Sequence, residues 1–357
     1  MLIQTLKING FRGITELEIE KLGRVNLIVG KNNAFKTTLL EAIFLLTGNS
    51  NPGAIQNIHV LRDLFLTEPN DLNFIFHKLN FDNELAIQGN YDDGSLRTLS
   101  ISPVKGSSFT DQGTTNGGGV DFSSSSPQYF IDKLEFSSTI KTSDGVEHHG
   151  VGSLQIIKGK IAVIASEKIR EIQKGIFVPT NILEFVHKRW ENILVRKQDQ
   201  AIIDVLKTME PKLSKIVLGT NNMMYADIDL DNLIPINLMG DGIKRLLTIL
   251  IAMQEVRGGG VVMIDEIDNG LHFSAMENLW KVVLKMARAL DVQVFATTHN
   301  VEVFKFLDQV LKMKEWEPYQ SDVRNITLNR LPNSEIKAYV YDYEQLSFAL
   351  QNEIEIR

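Results

Sequence analysis

The sequence predicts an α/β protein in which a parallel sheet lies beside a separate antiparallel sheet. Short apolar runs at 25–29, 261–264 and 292–297 have the composition of strands that are buried on both faces, as in parallel sheets. A segment with the apolar spacing of a helix, Lys36 to Leu46, follows the first run. Residues 71–103 instead alternate between apolar and polar and contain the hairpin-turn sequence Asp-Asp-Gly, which favours an antiparallel sheet.

The remaining elements follow from the same two periodicities, and Pro179 separates them. Before it, strands are predicted at 129–140, 152–157 and 160–165, and residues 105–126 are rich in Gly, Ser, Thr and Asn, which predicts a flexible loop. After it, helices are predicted at 183–194, 202–209, 243–253, 274–290 and 343–353, and strands at 323–329 and 336–341.

The composition excludes several classes of protein. The 357 residues are 43% hydrophobic and 23% charged, and the net charge of −7 means that any contact with nucleic acid needs a local basic patch. The absence of cysteine excludes disulfides and thiolate metal sites and fits a cytoplasmic location. The longest apolar stretch, Leu246 to Met253, is too short for a membrane span, and the first seven residues are too polar for a signal peptide.

Residues Gly30 to Thr38 match the phosphate-binding pattern G-x-x-x-x-G-K-[ST] at every position but one. In a working loop the backbone N–H groups hold the β-phosphate, Lys36 reaches the β- and γ-phosphates, and the Thr37 hydroxyl holds Mg²⁺. Phe35 stands where the second glycine belongs. A side chain there should either fill the seat of the phosphates or force the loop onto another route. The alternative is a glycine turn that only caps a helix.

Acidic and imidazole side chains follow two of the predicted parallel strands. Asp265 and Glu266 end the strand at 261–264. In phosphate-loop ATPases such an aspartate holds Mg²⁺ and such a glutamate polarises the attacking water, although solvated carboxylates at a strand end look the same. His299 follows the strand at 292–297, at the edge where ligands bind in open α/β sheets. It is placed to sense a γ-phosphate, or else it is a polar residue at the start of a loop.

A third motif, Gly240-Asp241-Gly242, directly precedes the helix predicted at 243–253. A helix N-terminus with two glycines suits an anion, although a plain helix cap has the same appearance. The long separation between Lys36 and Asp265 is incompatible with a compact RecA-like domain and indicates an insertion between the two motifs.

Taken in this order, the motifs resemble the ATP-binding-cassette (ABC) heads of the structural-maintenance-of-chromosomes (SMC) type. More narrowly, they are similar to the ATP-binding proteins related to the OLD (overcoming lysogenization defect) nucleases. The resemblance spans nearly the whole chain and is carried by residues 7–13, 30–43, 239–247, 264–272 and 296–300.

The resemblance implies an ABC-type P-loop ATPase head, with a RecA-like core, an antiparallel β lobe and a short helical insertion. It divides the chain into an N-terminal ATPase lobe at 1–178, the insertion at 179–218 and a C-terminal ATPase lobe at 219–357. It also implies a head-to-tail homodimer, in which ATP lies between the phosphate loop of one copy and Gly240 to Gly242 of the other.

The same resemblance assigns the site residue by residue. It makes Glu266 and His299 the catalytic residues, and Thr37 and Asp265 the ligands of Mg²⁺. The residues that it implies for ATP are Arg12, Gly30, Asn32, Asn33, Ala34, Phe35, Lys36, Thr37, Thr38, Gly240, Asp241, Gly242 and Asn269. Many relatives have serine in place of Gly240, so one hydrogen bond to the γ-phosphate, of about 1–2 kcal/mol, is lost. Gln88 is a positional candidate for the glutamine that usually joins the two lobes.

Partners are expected from the family alone. Relatives are commonly subunits of anti-phage defence or DNA-repair systems. Those with nuclease activity carry an acidic metal-binding domain after the histidine that corresponds to His299. This sequence ends before such a domain, so we expect a separate effector, a nuclease or a toxin. Two alternatives stay open. One is a nucleotide-free scaffold with Phe35 plugging the loop. The other is a DNA-repair ATPase that binds nucleic acid through basic residues, with acidic ones interleaved, at Lys168, Arg170, Lys174, Lys188, Arg189, Arg196 and Lys197.

Overall fold

The computed structural model describes residues 1–48, 51–82, 84–108, 128–167, 173–180, 183–220, 223–332 and 335–354. The strands in these ranges are β1 (Ile3–Phe11), β2 (Ile14–Ile19), β3 (Val25–Val29), β4 (Leu85–Tyr91), β5 (Leu96–Ser108), β6 (Gln128–Lys141), β7 (Glu147–Ile157), β8 (Lys160–Glu167), β9 (Gly175–Val178), β10 (Lys215–Leu218), β11 (Met224–Asp227), β12 (Ile234–Pro235), β13 (Val261–Ile264), β14 (Gln293–Thr297), β15 (Val323–Arg330) and β16 (Ile336–Tyr341).

The α-helices in the same ranges are α1 (Lys36–Gly48), α2 (Gly53–Val60), α3 (Leu183–Val195), α4 (Asp199–Leu206), α5 (Asp241–Glu255), α6 (Met276–Ala289), α7 (Val301–Lys312) and α8 (Tyr343–Gln351). Short 3₁₀ helices lie at Pro69–Ile75, His77–Leu79, Ile236–Leu238, Phe273–Ala275 and Lys314–Asp322. Among the residues described, none of the helices has the length and apolar character that crossing a membrane requires.

A six-stranded sheet with the order β16-β15-β3-β14-β13-β9 forms the centre of the fold. All neighbouring strands are parallel except the edge strand β16, which runs antiparallel to β15. Successive side chains of the inner strands enter two different cores; in β3, for example, Leu27 lies in one core and Ile28 in the other. Burial on both faces explains why these strands read as continuous apolar runs, and it confirms the predicted parallel sheet.

An antiparallel sheet of seven strands, in the order β2-β1-β4-β5-β6-β7-β8, lies over one face of the central sheet. The hairpin between β4 and β5 turns at Asp92-Asp93-Gly94, as the sequence predicts. Helix α1 contacts strands of both sheets, and its buried side chains share one core with β1 and β4. The loop at the start of α1 therefore sits where the two sheets meet.

The opposite face of the central sheet is covered by the helices of the second half of the chain. Helices α3 and α4 pack against α5, and their buried side chains share one core with the central sheet. Two fully buried tryptophans fix this layer. The Trp190 indole donates to the carbonyl of Ile216 at 3.3 Å, and that of Trp280 donates to the carbonyl of Val303 at 2.9 Å.

Two segments differ from the sequence predictions, and several further elements have no counterpart among them. Residues 105–108 continue β5 and pair with β6, so the predicted loop at 105–126 is wrong there; residues 109–126 lie outside the described residues. Residues 71–79 form 3₁₀ turns instead of an alternating strand, because Pro69 cannot donate to a ladder and Asp71 accepts hydrogen bonds from the preceding backbone. Helices α2 and α7 and strands β1, β2 and β9 to β12 were not predicted.

Candidate nucleotide-binding site

The loop between β3 and α1 keeps the backbone of a phosphate-binding loop. Gly30 has φ 153°, and a Cβ there would lie 2.4 Å from the carbonyl oxygen of Leu328, so only glycine fits. Lys36 is buried, and its ammonium donates to the carbonyl oxygens of Gly30 at 2.8 Å and Lys31 at 3.1 Å. Burial lowers the pKa of Lys36, while the charges of Asp265 and Glu266 oppose that shift. The lysine is thus folded back inside its own loop.

Phe35 takes neither of the two arrangements expected from the sequence. Its φ of 61° lies in the left-handed region, so the backbone retains the conformation for which glycine is usually needed. The ring turns out of the loop and lies against Gly13, at the turn between β1 and β2; a Cβ on Gly13 would lie 1.8 Å from Cε1 of the ring. The guanidinium of Arg330 lies 5.6 Å from the ring centroid. Phe35 therefore lies in the wall of the site rather than plugging it.

A cavity of about 410 Å³ opens above this loop. It brings together most of the residues predicted to contact ATP from within one chain, together with His299. The lining residues are Arg12, Gly13, Asn32, Asn33, Ala34, Phe35, Lys36, Thr37, Thr38, Arg62 and His299. Gly30 lies beneath it through its bond to Lys36. Gly240, Asp241, Gly242 and Asn269 are not part of this lining.

The acidic strand end meets the phosphate loop directly. The Thr37 hydroxyl donates to the Asp265 carboxylate, at 3.2 Å from Oδ1 and 3.1 Å from Oδ2. The hydroxyl of Thr297, at the end of β14, donates to the same carboxylate at 2.6 Å. A hydroxyl and a carboxylate beside a phosphate loop fit Mg²⁺, which is usually held by one or two carboxylates together with substrate phosphates. No group of three or more acidic or imidazole side chains that could hold a metal occurs in the described part of the chain.

Glu266 and His299 face each other next to this contact. Glu266 has φ 50°, and its N–H donates to the Thr297 hydroxyl at 2.8 Å. Its Oε1 lies 3.8 Å from Nε2 of His299, and both side chains are nearly half exposed. Because the backbone of Glu266 is fixed while its carboxylate reaches solvent, the side chain is available to a water molecule.

The first turn of α5 presents its N-terminus to solvent. Gly240 is the N-cap and is exposed, and a Cβ built on it meets nothing within 4 Å. Asp241 pairs with Lys244 at 2.5 Å. Gly270, with φ 74°, packs so closely that a Cβ there would lie 3.1 Å from Cβ of Asp241. The amide of Asn269 donates to the carbonyl of Thr180 at 3.4 Å. None of these residues is part of the lining of the cavity in their own chain.

An ionic cluster that was not predicted from the sequence lies beside the phosphate loop. Glu41, on α1, is fully buried, and each oxygen of its carboxylate lies 3.0 Å from Nη1 of Arg12. Arg62 binds the same carboxylate through Nε at 2.6 Å and Nη2 at 3.0 Å, and also donates to the Thr38 hydroxyl at 3.2 Å. Burial lowers the pKa of Arg12 to about 10, which leaves it charged at neutral pH. We call these three residues the arginine–glutamate clamp.

The clamp places two guanidinium groups at the cavity wall, and both bind one fully buried carboxylate. Its net positive charge suits the anionic phosphates of a nucleotide. A glutamate between the apolar residues Leu40 and Ala42 was the sequence signal for it, because a carboxylate on the buried face of a helix needs cationic partners. Gln88 lies in β4, paired with Lys7, and is not part of the cavity lining.

His59, on α2 near the clamp, gives the site a pH-dependent stability. It is fully buried, its Nδ1 lies 2.8 Å from the Ile55 carbonyl oxygen, and burial lowers its pKa from 6.5 to about 4. The unfolded chain therefore binds a proton at this histidine below pH 6.5, whereas the folded chain binds it only below about pH 4. The free energy of unfolding falls as the pH is lowered through that window. Between pH 7 and pH 5 we expect this group to cost about 2 kcal/mol. Urea unfolding at both pH values should show a smaller loss for His59→Phe, which cannot titrate, than for the natural chain; equal losses would contradict the assignment.

The arrangement of these groups defines a class of protein. A phosphate loop and an acidic strand end that meet at the junction of a parallel and an antiparallel sheet are the features of an ABC/SMC-like P-loop ATPase. A search of solved structures agrees at the level of the fold. An SMC head bound to the C-winged helix domain of ScpA matches with a TM-score of 0.51 and 13% identity, over 96% of this chain and 99% of that chain.

The family follows from the sequence match. Residues 25–305 match the model described as "AAA domain, putative AbiEii toxin, Type IV TA system", and the chain belongs to this family. An "ATP/GTP phosphatase" of Helicobacter pylori is 24% identical over 347 residues, which are 88% of this chain and 90% of that protein. A shorter match, 44% identical over 46 residues and 13% of each protein, is to "DNA replication and repair protein RecF" of Idiomarina loihiensis.

Proposed function

We propose that this ATPase binds ATP–Mg²⁺ in the cavity, that two copies associate around the nucleotide, and that hydrolysis releases them. In this cycle the triphosphate is held by Lys36, Arg12 and the backbone of the loop. Thr37 and Asp265 hold Mg²⁺, Glu266 polarises the attacking water, and His299 senses the γ-phosphate.

One observation carries this proposal, the hydrogen bond from the Thr37 hydroxyl to the Asp265 carboxylate at 3.1 Å. It brings the phosphate loop and the acidic strand end together, although the two residues are far apart in the sequence. A hydroxyl and a carboxylate are groups that would suit Mg²⁺, which supports the proposed roles of Thr37 and Asp265. The path of the Phe35 ring supports the same function, because it leaves a cavity above the loop. A nucleotide-free scaffold therefore has less support than an active site.

The exposed tip of α5 supports association of two copies. Gly240, Asp241 and Gly242 do not line the cavity of their own chain. A Cβ built on Gly240 would have no atom within 4 Å, so the space in front of this residue is open. A helix N-terminus of this kind would complete the charge balance of the γ-phosphate bound to a second copy. The free energy of ATP binding then becomes free energy of dimerisation.

By family analogy we propose that the ATP cycle controls a separate effector protein, a nuclease or a toxin, in the cytoplasm and in anti-phage defence, as in the proteins related to the OLD nucleases. The family name, which mentions a putative toxin system, and the ScpA domain on the similar SMC head agree with action through a protein partner.

The test of the cycle is Glu266→Gln, which keeps the side-chain shape but removes the general base. We expect ATP turnover to fall by at least about a hundredfold and ATP–Mg²⁺ to convert the 40.2 kDa chain into a long-lived dimer. Multi-angle light scattering, with and without ATP, measures the second effect. A variant that hydrolyses ATP at the natural rate, or stays monomeric at saturating ATP, would contradict the proposal.

The matched control is Gly240→Leu. Because a side chain at Gly240 points into open space, the variant should fold and bind ATP like the natural chain. It should nevertheless fail to dimerise or to turn over ATP, since leucine blocks the partner's γ-phosphate. ATP-driven dimers that survive this substitution would place the dimer contact elsewhere.

Of the residues that suggested direct DNA binding, three bear on the choice of proposal. Lys168 and Arg170 lie outside the described residues, and Arg189 forms an ion pair with Glu255. We therefore do not extend the proposal to nucleic acid.

A further inference from the structure

Arg245 is a fully buried arginine in the second turn of α5. Its Nη1 donates to the carbonyl oxygen of Pro179 at 2.8 Å. Its Nη2 donates to the carbonyl oxygens of Asp265 and Glu266, at 2.5 and 2.8 Å. One side chain thus binds the backbone just beyond the ends of two neighbouring parallel strands, β9 and β13.

The burial of this charge has a cost that the contacts must offset. Burial lowers the pKa of Arg245 to about 10, so the group is still charged at neutral pH. A buried cation is retained when its hydrogen bonds are strong and fixed in direction, and the planar guanidinium can bind several carbonyls at once where an ammonium binds as a point charge. The geometry indicates a role for this arginine in holding the turn after β13.

That turn contains Glu266 in a strained backbone. With φ 50°, a non-glycine residue needs its neighbours to hold it in place. Its N–H is bound by Thr297, and its carbonyl is bound by Arg245 and by the N–H of Asn269 at 2.9 Å. The carboxylate itself reaches solvent, 3.8 Å from His299. The contacts to its backbone therefore fix the point from which this side chain extends toward solvent.

The same arginine connects this turn to the exposed tip of α5. Arg245 lies one helical turn after Asp241, and Asp241 packs against Gly270. Gly242 packs against Leu271, whose Cδ2 would lie 3.2 Å from a Cβ at that position. The tip of the helix and the residues after Glu266 thus form a single packed unit.

We propose that Arg245 is a positioning residue for hydrolysis: it fixes the backbone of Glu266 and ties that carboxylate to the helix whose tip meets the second copy. The inference rests on the proposed role of Glu266. It assigns Arg245 to turnover and not to nucleotide binding, because its guanidinium is sealed from the cavity and none of its atoms lines it.

The test compares Arg245→Lys with Arg97→Met. Arg97 is another buried arginine, but it lies in β5, where it packs over the Tyr91 ring at 4.6 Å. For Arg245→Lys we expect kcat per folded molecule to fall at least tenfold, with the Kd for a fluorescent ATP analogue within about twofold of the natural value. Arg97→Met should lose thermal stability and keep kcat. A variant with both Arg245→Lys and Glu266→Gln should be no slower than Glu266→Gln alone, since the arginine acts through that carboxylate.

The outcomes are distinct. If Glu266→Gln keeps its turnover, the proposed function fails first, whatever Arg245 does. Two results with inactive Glu266→Gln would show that the positioning role is wrong. One is a folded Arg245→Lys variant that keeps its kcat, and the other is a variant whose kcat and ATP affinity fall by the same factor. Arg245→Gln serves as the second variant if the lysine protein does not fold. Failure of both to fold, at a temperature where Arg97→Met is folded, would show a structural role instead.

Discussion

Gly13→Ala is expected to weaken ATP binding by at least about a hundredfold, or about 2.7 kcal/mol. A Cβ at this position would lie 1.8 Å from Cε1 and 2.3 Å from Cζ of Phe35, far inside any permitted contact, so the ring has to move. The backbone of Gly13 does not have the positive φ that favours glycine, so alanine adds no strain of its own. Arg330 lies near the ring, and Phe35 already lines the cavity above the phosphate loop, so we expect the displaced ring to enter that cavity.

The cause can be isolated with Phe35→Gly. Glycine takes φ 61° without the cost of about 1–2 kcal/mol that a side chain brings, and it removes the ring from the cavity wall. We expect it to raise both the affinity for ATP and the turnover. In this background Gly13→Ala has no ring to displace, so the affinity should stay within about twofold. Isothermal titration calorimetry with ATP and Mg²⁺ on the four proteins of this cycle measures the coupling.

Two results would count against this explanation. If Gly13→Ala weakens binding equally in both backgrounds, the alanine acts on the turn between β1 and β2 and not through the ring. If Phe35→Gly binds ATP as the natural chain does, the phenyl group has no influence on the phosphate site. Thermal unfolding of all four proteins shows whether a loss of affinity is only a loss of folded protein.

The parts of the site that are local in the sequence were predictable. The phosphate loop follows from glycine and lysine at fixed spacing between a strand and a helix, and Asp265 from its position directly after a buried strand. Because the carboxyl ends of parallel strands meet at one edge of a sheet, the approach of Asp265 to Thr37 was expected, and the distance of 3.1 Å agrees with it.

The parts that depend on contacts between distant segments were not predictable. The sequence marks Phe35 as misplaced, but the place of its ring depends on Gly13, a residue of another element. Arg62 follows a helix that has no clear sequence signal, and Arg245 reads as one more polar residue of an amphipathic helix until its three carbonyl partners are known. In each case the position of the side chain depends on its direction and on packing against distant segments. The periodicity of the sequence gives information on neither.

Glu41→Gln is expected to destabilise the protein by about 3 kcal/mol, the second large effect. Its carboxylate is fully buried between Arg12 and Arg62, and removal of one partner from a buried ionic group leaves charge uncompensated, which costs about 3–5 kcal/mol. Glutamine keeps one oxygen as an acceptor, which places the expected loss at the lower end of that range. Urea unfolding at pH 7 measures it.

Glu277→Gln is the matched control, since Glu277 also pairs with a cation but at the surface. Its carboxylate lies 2.6 Å from Lys281, four residues later on α6, and is well exposed. A surface pair of this kind contributes about 0.3–0.5 kcal/mol. If both substitutions cost the same, the clamp behaves as a surface pair, and its burial adds nothing to stability.

The clamp also separates a stabilising role from a role in binding. With glutamine at position 41 the two guanidinium groups repel each other, so Arg12 and Arg62 no longer keep their positions at the cavity wall. Glu41→Gln should therefore lower the affinity for ATP even in the absence of urea, where nearly all of the protein is folded. A second substitution, Arg62→Met, removes the excess positive charge. It should restore part of the stability, because stability depends on the balance of charge. It should restore none of the affinity for ATP, because binding depends on both arginines. Recovery of affinity in the double variant would mean that Arg62 contributes nothing to nucleotide binding and serves only to neutralise Glu41.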